Sequence, residues 1–155
     1  MTLNSESSRI KVVTFDLWET LMLEGDRWNT LRVDARCRNL AETSEKFGVE
    51  VSVEQLALAF KEMASWLESV WETDKDVTHQ DQINFIIKAA TNDAIIVKEE
   101  WSRQISSAHV SALFEVPPYL NPDAHRVLQE MRDSNKRVGL ICNTSARQPH
   151  ASEHL

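Results

Sequence analysis

The chain has 155 residues, of which 42% are hydrophobic and 26% are charged, as in an ordinary globular domain. Its formal net charge of −7 argues against a nucleic-acid-binding surface, because such a surface needs clustered positive charge. No run approaches the ~20 apolar residues of a membrane-spanning helix, and the N-terminal segment MTLNSESSRIK lacks the apolar core of a signal peptide. We therefore expect a cytoplasmic protein without nucleic-acid or membrane partners. Its oligomeric state is not indicated.

A short apolar run follows the polar residues 1–9, which we expect to be disordered. This run, Ile10 to Phe15 (IKVVTF), is rich in β-branched residues and ends at Asp16. A continuous apolar run of this length is typical of a buried parallel strand. The sequence therefore predicts a first strand that ends at an acidic residue.

The long middle of the chain, residues 26–113, has the periodicity of helices throughout. Gly48 indicates the end of one helix, and Ser52–Gln55 has the pattern of a capping box at the start of the next. A weaker cap spans Thr78–Asp81, and a further helix carries Trp101. The helix after the first capping box has one apolar stripe, formed by Leu56, Phe60, Met63, Leu67 and Val70.

The helical block ends at Pro117-Pro118, because two consecutive prolines interrupt a helix. Asn121-Pro122 then predicts the start of another helix, with proline in its first turn. A second apolar strand is predicted at Val138–Cys142. Because a helix that connects two strands is typical of a parallel crossover, we predict an α/β fold with a helical insertion of roughly 85 residues.

Polar residues stand where each predicted strand ends. Asp16 closes the first strand, and Asn143 and Thr144 follow the second. In open α/β sheets, ligands bind beyond the carboxyl ends of the strands. A carboxylate in such a place can act as a nucleophile or a metal ligand. The alternative interpretation is that the aspartate caps the next turn and that the other two side chains stabilise a local turn.

Two motifs in this sequence resemble those of the haloacid dehalogenase-like (HAD) hydrolases. The segment VVTFDLWETL resembles the family's first motif, an apolar strand that ends in Asp-x-Asp-x-Thr or a close variant. The segment RVGLICNTS resembles the second motif, an apolar strand that ends in Ser or Thr and is usually followed by Asn. The Pro-rich entry to that strand and the helical insertion between the motifs also match the family pattern.

The resemblance covers about residues 10–145 and implies a truncated Rossmann-like HAD core with two parallel strands and an inserted all-helical cap. It assigns 10–25 and 114–145 to the partial core and 26–113 to the cap. The last residues, 146–155, lack periodicity and are expected to form an irregular tail.

The resemblance also implies a chemistry: hydrolysis of a small phosphate ester or dehalogenation of a 2-haloacid, with Asp16 as the nucleophile. The residues expected to contact the small-molecule substrate are Trp18, Thr20, Asn143 and Thr144. A phosphatase would also need Mg²⁺, bound by the Asp16 carboxylate and the backbone carbonyl of Trp18, whereas a dehalogenase would need no metal.

The sequence departs from the family pattern at three positions of these motifs. Trp18 stands where phosphatases carry a second aspartate that acts as general acid and base. Indole cannot do this work, and an aromatic residue here occurs in dehalogenases, whose halide leaves without a proton. Glu19 replaces a frequent glycine, and Cys142 replaces the Ser or Thr of the second motif.

The later family motifs, a Lys or Arg and one or two acids, do not follow the second motif in this sequence. We therefore expect a truncated chain, and the alternative to a hydrolase is a catalytically inactive remnant or a helical protein-interaction module. In that case four side chains of the helical block would offer a partner an apolar face; they are Phe60, Met63, Trp66 and Trp71.

Overall fold

The computed structural model describes residues 10–142, which form a mixed α/β structure with more helix than strand. The described elements are, in chain order, β1 (Val12–Asp16), β2 (Met22–Leu23), α1 (Asp26–Glu45), α2 (Val53–Trp71), α3 (His79–Ala90), α4 (Glu99–Glu115), β3 (Tyr119–Leu120), α5 (Ala124–Asp133) and β4 (Arg137–Ile141). The predicted α/β class is confirmed at this coarse level. The expectations for residues 1–9, for Asn143 and Thr144, and for the tail 146–155 lie outside the described residues.

The described chain divides into two compact units. The first, here called the sheet unit, comprises residues 10–26 and 118–142. The second, the helical unit, comprises residues 27–117. No helix in the described part of the chain is long and apolar enough to cross a membrane.

The sheet unit is organised by the parallel pairing of β1 with β4. The register runs from Val12 opposite Arg137 to Asp16 opposite Ile141. The ladder extends before the strands as well, because the backbone N–H of Arg137 donates to the carbonyl of Lys11 at 2.9 Å. The predicted parallel relation of the two apolar strands is therefore confirmed, and their carboxyl ends lie at the same edge of the sheet.

A second, antiparallel pair joins β2 to β3, with Met22 opposite Leu120 and Leu23 opposite Tyr119. The sequence did not predict this pair, because two residues are too few to show the alternation of a strand. The pair attaches the segment that follows Asp16 to the segment that precedes α5.

The start of α5 differs from the prediction, since its first residue is Ala124 and Pro122 lies in the turn before the helix. Asn121 forms that turn with both of its oxygens. Its side-chain oxygen accepts from the backbone N–H of Asp123 at 3.0 Å, and its carbonyl accepts from that of Ala124 at 2.9 Å. The asparagine therefore favours a turn stabilised by its own side chain over an immediate helix.

The helical unit has an apolar core of its own, to which all four of its helices contribute. The capping box predicted at α2 is confirmed, because the Ser52 hydroxyl accepts from the Gln55 N–H at 3.1 Å and the Gln55 amide oxygen accepts from the Ser52 N–H at 2.8 Å. The cap predicted at α3 is also a full capping box. The buried cluster consists of Cys37, Leu40, Leu56, Ala59, Phe60, Ile83, Ile86, Ile87, Ala90 and Ile105.

A buried arginine connects the first and last helices of this unit. Arg32 on α1 is only 2% exposed, and its Nε and Nη2 donate to the carbonyl of Val116 at 3.0 and 2.9 Å. That carbonyl follows the C-terminus of α4, where backbone acceptors lack helical partners and positive charge is favourable. Farther along the same helices, the Asn39 amide donates to the Ser111 hydroxyl at 2.9 Å.

We expect Arg32→Met to lower the free energy of unfolding by about 2 kcal/mol, because the partly buried Val116 carbonyl loses two donors from a charged group. Urea denaturation at neutral pH measures this loss. The matched control is Arg38→Met on the same helix, since its guanidinium is half-exposed and forms a surface ion pair with Glu115 at 3.7 Å. It should cost less than about 1 kcal/mol; equal losses in the two variants would contradict the role given to Arg32.

Candidate functional site

Asp16 ends β1 and lies opposite Ile141, the last residue of β4. Its side chain is exposed, and its Oδ1 accepts from the backbone N–H of Leu17 at 2.7 Å. This local bond is the turn-capping interaction that the sequence allowed as an alternative. An ionised carboxylate has about four acceptor sites, so one such bond is compatible with a further role for the same group.

The chain turns back directly after this aspartate. The carbonyl of Leu17 accepts from the backbone N–H groups of Leu21 at 3.0 Å and Met22 at 2.9 Å, which closes a tight loop over residues 17–21. Inside the loop, Glu19 has a φ of 53°, in the left-handed region that favours glycine. This backbone conformation gives a physical reason why a glycine is common at the corresponding place of the motif that this segment resembles.

The side chain of Glu19 is bound within the same segment, because its Oε1 accepts from the backbone N–H of Glu24 at 2.9 Å. This bond holds the carboxylate toward the end of the loop and β2. It therefore stabilises the local path of the chain between the loop and β2.

Trp18 and Thr20 both lie in the loop over residues 17–21, as their place in the sequence predicts. Trp18 is half-buried and forms an isolated bridge with Met22, whereas Thr20 is exposed. The expected metal-binding group at position 18 is a backbone carbonyl, which any residue type would supply. Asp16, Trp18 and Thr20 thus belong to one short strand-and-loop segment.

Asn121 anchors this loop from a distant part of the sequence. Its side-chain amide donates to the carbonyl of Thr20 at 2.8 Å, and its backbone N–H donates to the carbonyl of Leu21 at 2.9 Å. Sequence reasoning assigned Asn121 only to the start of a helix. No local signal could have revealed this contact, because the two bonded residues are 101 positions apart.

The remaining residues of the predicted site, Asn143 and Thr144, lie outside the described residues. The last described residue before them is Cys142, which is exposed and directly follows β4. Because Asp16 is paired with Ile141, the described chain ends at the same edge of the sheet at which the aspartate stands. That the aspartate and Asn143 share a pocket remains a prediction.

The described donors do not by themselves make a complete site for Mg²⁺. No group of three or more His, Cys, Asp or Glu residues among the described positions is arranged to hold a metal ion. Mg²⁺ is usually bound by one or two carboxylates together with substrate oxygens and water. Here the expected donors are one carboxylate, that of Asp16, and the carbonyl of Trp18, so most of the coordination would have to come from other groups.

The sequence matches no protein-family model, and a search against curated proteins finds no match. The choice of Asp16 as the candidate functional residue therefore depends on the motifs quoted above and on its position at the end of a parallel strand.

We expect Asn121→Ala to loosen the loop after Asp16, because the carbonyl of Thr20 loses its side-chain donor. The loss of one hydrogen bond of this kind costs about 1 kcal/mol, so amide hydrogen exchange in residues 17–24 should become severalfold faster. Gln129→Ala is the control, since it removes an exposed side-chain bond to Asp133 in the same unit. Unchanged exchange in the loop of the Asn121 variant would refute the anchoring role.

Proposed function

We propose that this chain acts as a HAD-like hydrolase of a small molecule, with Asp16 as the nucleophile. One observation carries the proposal: an exposed aspartate ends a strand that pairs in parallel with the strand leading into the second motif. Ligand sites of open α/β sheets form beyond such strand ends. The tight loop over residues 17–21 supports it further, because it holds the segment directly after Asp16 in one conformation.

In the proposed reaction, a carboxylate oxygen of Asp16 attacks the substrate and forms a covalent intermediate, which is an ester with a 2-haloacid and an acyl phosphate with a phosphate ester. With a 2-haloacid, a carbon–oxygen bond forms as the carbon–halogen bond breaks, and the halide leaves with the electron pair. Water then cleaves the ester, which gives a 2-hydroxy acid and restores the aspartate. With a phosphate ester, the carboxylate oxygen attacks phosphorus as the bond from phosphorus to the leaving oxygen breaks, and the leaving alkoxide must gain a proton. Water then hydrolyses the acyl phosphate, which gives inorganic phosphate and restores the aspartate.

Trp18 bears on the choice between these two substrate classes. Its indole has no proton to give in this pH range, so the residue two positions after Asp16 cannot protonate a leaving alkoxide. General acid–base help is worth roughly 10²- to 10⁴-fold in rate. We therefore favour the haloacid, or a phosphate ester whose leaving group departs easily, such as an aryl phosphate.

The test compares halide release from a 2-haloacid with phosphate release from an aryl phosphate, each with and without Mg²⁺. We expect Asp16→Asn to reduce turnover by roughly 10³-fold or more, because the amide is a far weaker nucleophile. Halide release without added metal would identify a dehalogenase, and Mg²⁺-dependent phosphate release would identify a phosphatase.

Asp123→Asn is the matched control for this experiment. Asp123 is also an exposed carboxylate of the sheet unit, and its Oδ1 is bound to Arg126 at 3.0 Å. Its replacement should leave turnover unchanged. Turnover that survives Asp16→Asn would reject the aspartate as the nucleophile, and the absence of both activities in the unmodified chain would favour the second candidate below.

The second candidate is an inactive chain that binds partners through apolar surface, and the sheet unit provides its support. Parallel sheets are normally covered on both faces. Here several large apolar side chains of the two strands are at least two-fifths exposed; they are Val12, Val138, Leu140 and Ile141.

The apolar face that the sequence suggested for such a module is largely used inside the helical unit. Phe60 belongs to the buried cluster, Met63 packs against it, and the ring of Trp66 stacks on Phe85 with centroids 4.6 Å apart. Of the four side chains named for that face, Trp71 is the one that is mostly exposed. For this second candidate we therefore place the apolar docking surface on the exposed side chains of β1 and β4.

We expect the double variant Val138→Thr, Leu140→Thr to reduce the binding of a dye that fluoresces on exposed apolar surface, because both side chains are exposed on β4. A non-cooperative thermal melt of the unmodified chain would favour the inactive candidate. A sharp two-state melt with little dye binding would count against it.

A further inference from the structure

Two histidines join α3 to α4 inside the helical unit. The Nε2 of His79 lies 3.0 Å from the Nδ1 of His109, within hydrogen-bond distance, and the ring centroids are 5.0 Å apart. His109 is 4% exposed and stacks on Phe60 of α2, with centroids 5.8 Å apart. Between the same two helices, the Ser102 hydroxyl donates to the side-chain oxygen of Gln80, so this part of the interface between α3 and α4 is polar.

The hydrogen bond between the two rings requires one nitrogen to donate and the other to accept. A neutral imidazole has one of each, whereas an imidazolium has two donors. The contact is therefore lost when both rings are protonated. Charging His109 alone is also costly, because its Nε2 is buried without a hydrogen-bond partner among the described residues.

The charges around the pair oppose protonation. The positive charge of Arg36, on α1, acts on both rings. The two rings lie against each other, and α2 contributes the uncharged ring of Phe60. Burial, followed by the charges of Arg36 and His79, lowers the pKa of His109 to about 2. Burial, followed by Arg36, also lowers the pKa of His79.

The lowered pKa values of the two histidines determine how stability changes with pH. Both pKa values are lower in the folded chain than the ordinary value of about 6.5 that an unfolded histidine has. Unfolding or local opening therefore takes up protons below that pH. The stability that the neutral pair provides is fully present above pH 6.5 and is lost progressively as the pH falls below it.

We propose that the His79–His109 contact is an acid-sensitive latch, which holds α3 against α4 at neutral pH and lets the two helices separate more readily at mildly acidic pH. The latch is independent of the hydrolase proposal, because all of its residues belong to the helical unit and none belongs to the site around Asp16.

Hydrogen exchange of the full chain at pH 7.5 and pH 5.5, corrected for the intrinsic exchange rates, tests the latch. The opening constant of peptides from α3 and α4 should rise about tenfold for each imidazole that is protonated on opening, and up to about 100-fold for both. The matched control is His125→Gln, which removes an exposed histidine of α5 and should leave this response unchanged.

Two variants then divide the response between the rings. His79→Gln keeps a polar partner for His109 and should reduce the pH response of the opening constant to about tenfold. His109→Phe keeps an aromatic ring against Phe60 and should remove the part of the response that comes from His109. If His109→Phe does not fold at pH 7.5, His79→Gln decides alone. The proposal is overturned if His79→Gln responds to pH as the unmodified chain does, or if α3 and α4 open no more than α2.

Discussion

The parallel pairing of β1 with β4 is the constraint on which the candidate site depends. It joins two short strands that are separated by more than a hundred residues, and it brings Asp16 to the edge where β4 ends at Ile141. Closing a long segment costs only about 0.6 kcal/mol more for each doubling of its length. Because residues 27–117 form a compact unit with a core of their own, the intervening chain is mostly folded structure that can be inserted without disturbing the strand register.

The features that the sequence predicted are those with local causes. The apolar strands and both capping boxes were predicted because their signals lie within a few residues of each other. The contacts that escaped prediction join distant positions: Arg32 and Val116 are 84 residues apart, Asn121 and Thr20 are 101 apart, and the two histidines are 30 apart. No periodicity or spacing encodes such pairings, because they depend on which helix faces lie against each other after folding.

At the candidate site the division between predicted and unpredicted features is similar. The motif drew attention to Asp16, and its frequent glycine is consistent with the left-handed conformation of Glu19, which glycine would adopt at lower cost. Nothing in the motif showed that Asn121 would fix the loop, and substrate choice depends on residues that carry no recognisable pattern. The sequence alone was therefore enough to propose Asp16 as the nucleophile, whereas our preference between the two substrate classes rests on the chemical limits of one neighbour, Trp18.

The two units depart from an ordinary protein interior in opposite ways. The helical unit buries polar groups, Arg32 and His109, among apolar side chains, whereas the sheet unit leaves apolar strand residues exposed to solvent. Burial of an ionisable ring makes stability depend on proton concentration. Exposure of apolar surface makes stability depend on whatever covers that surface. Acidification should therefore act on the helical unit through its buried histidines, whereas a partner that covers β1 and β4 would stabilise the sheet unit.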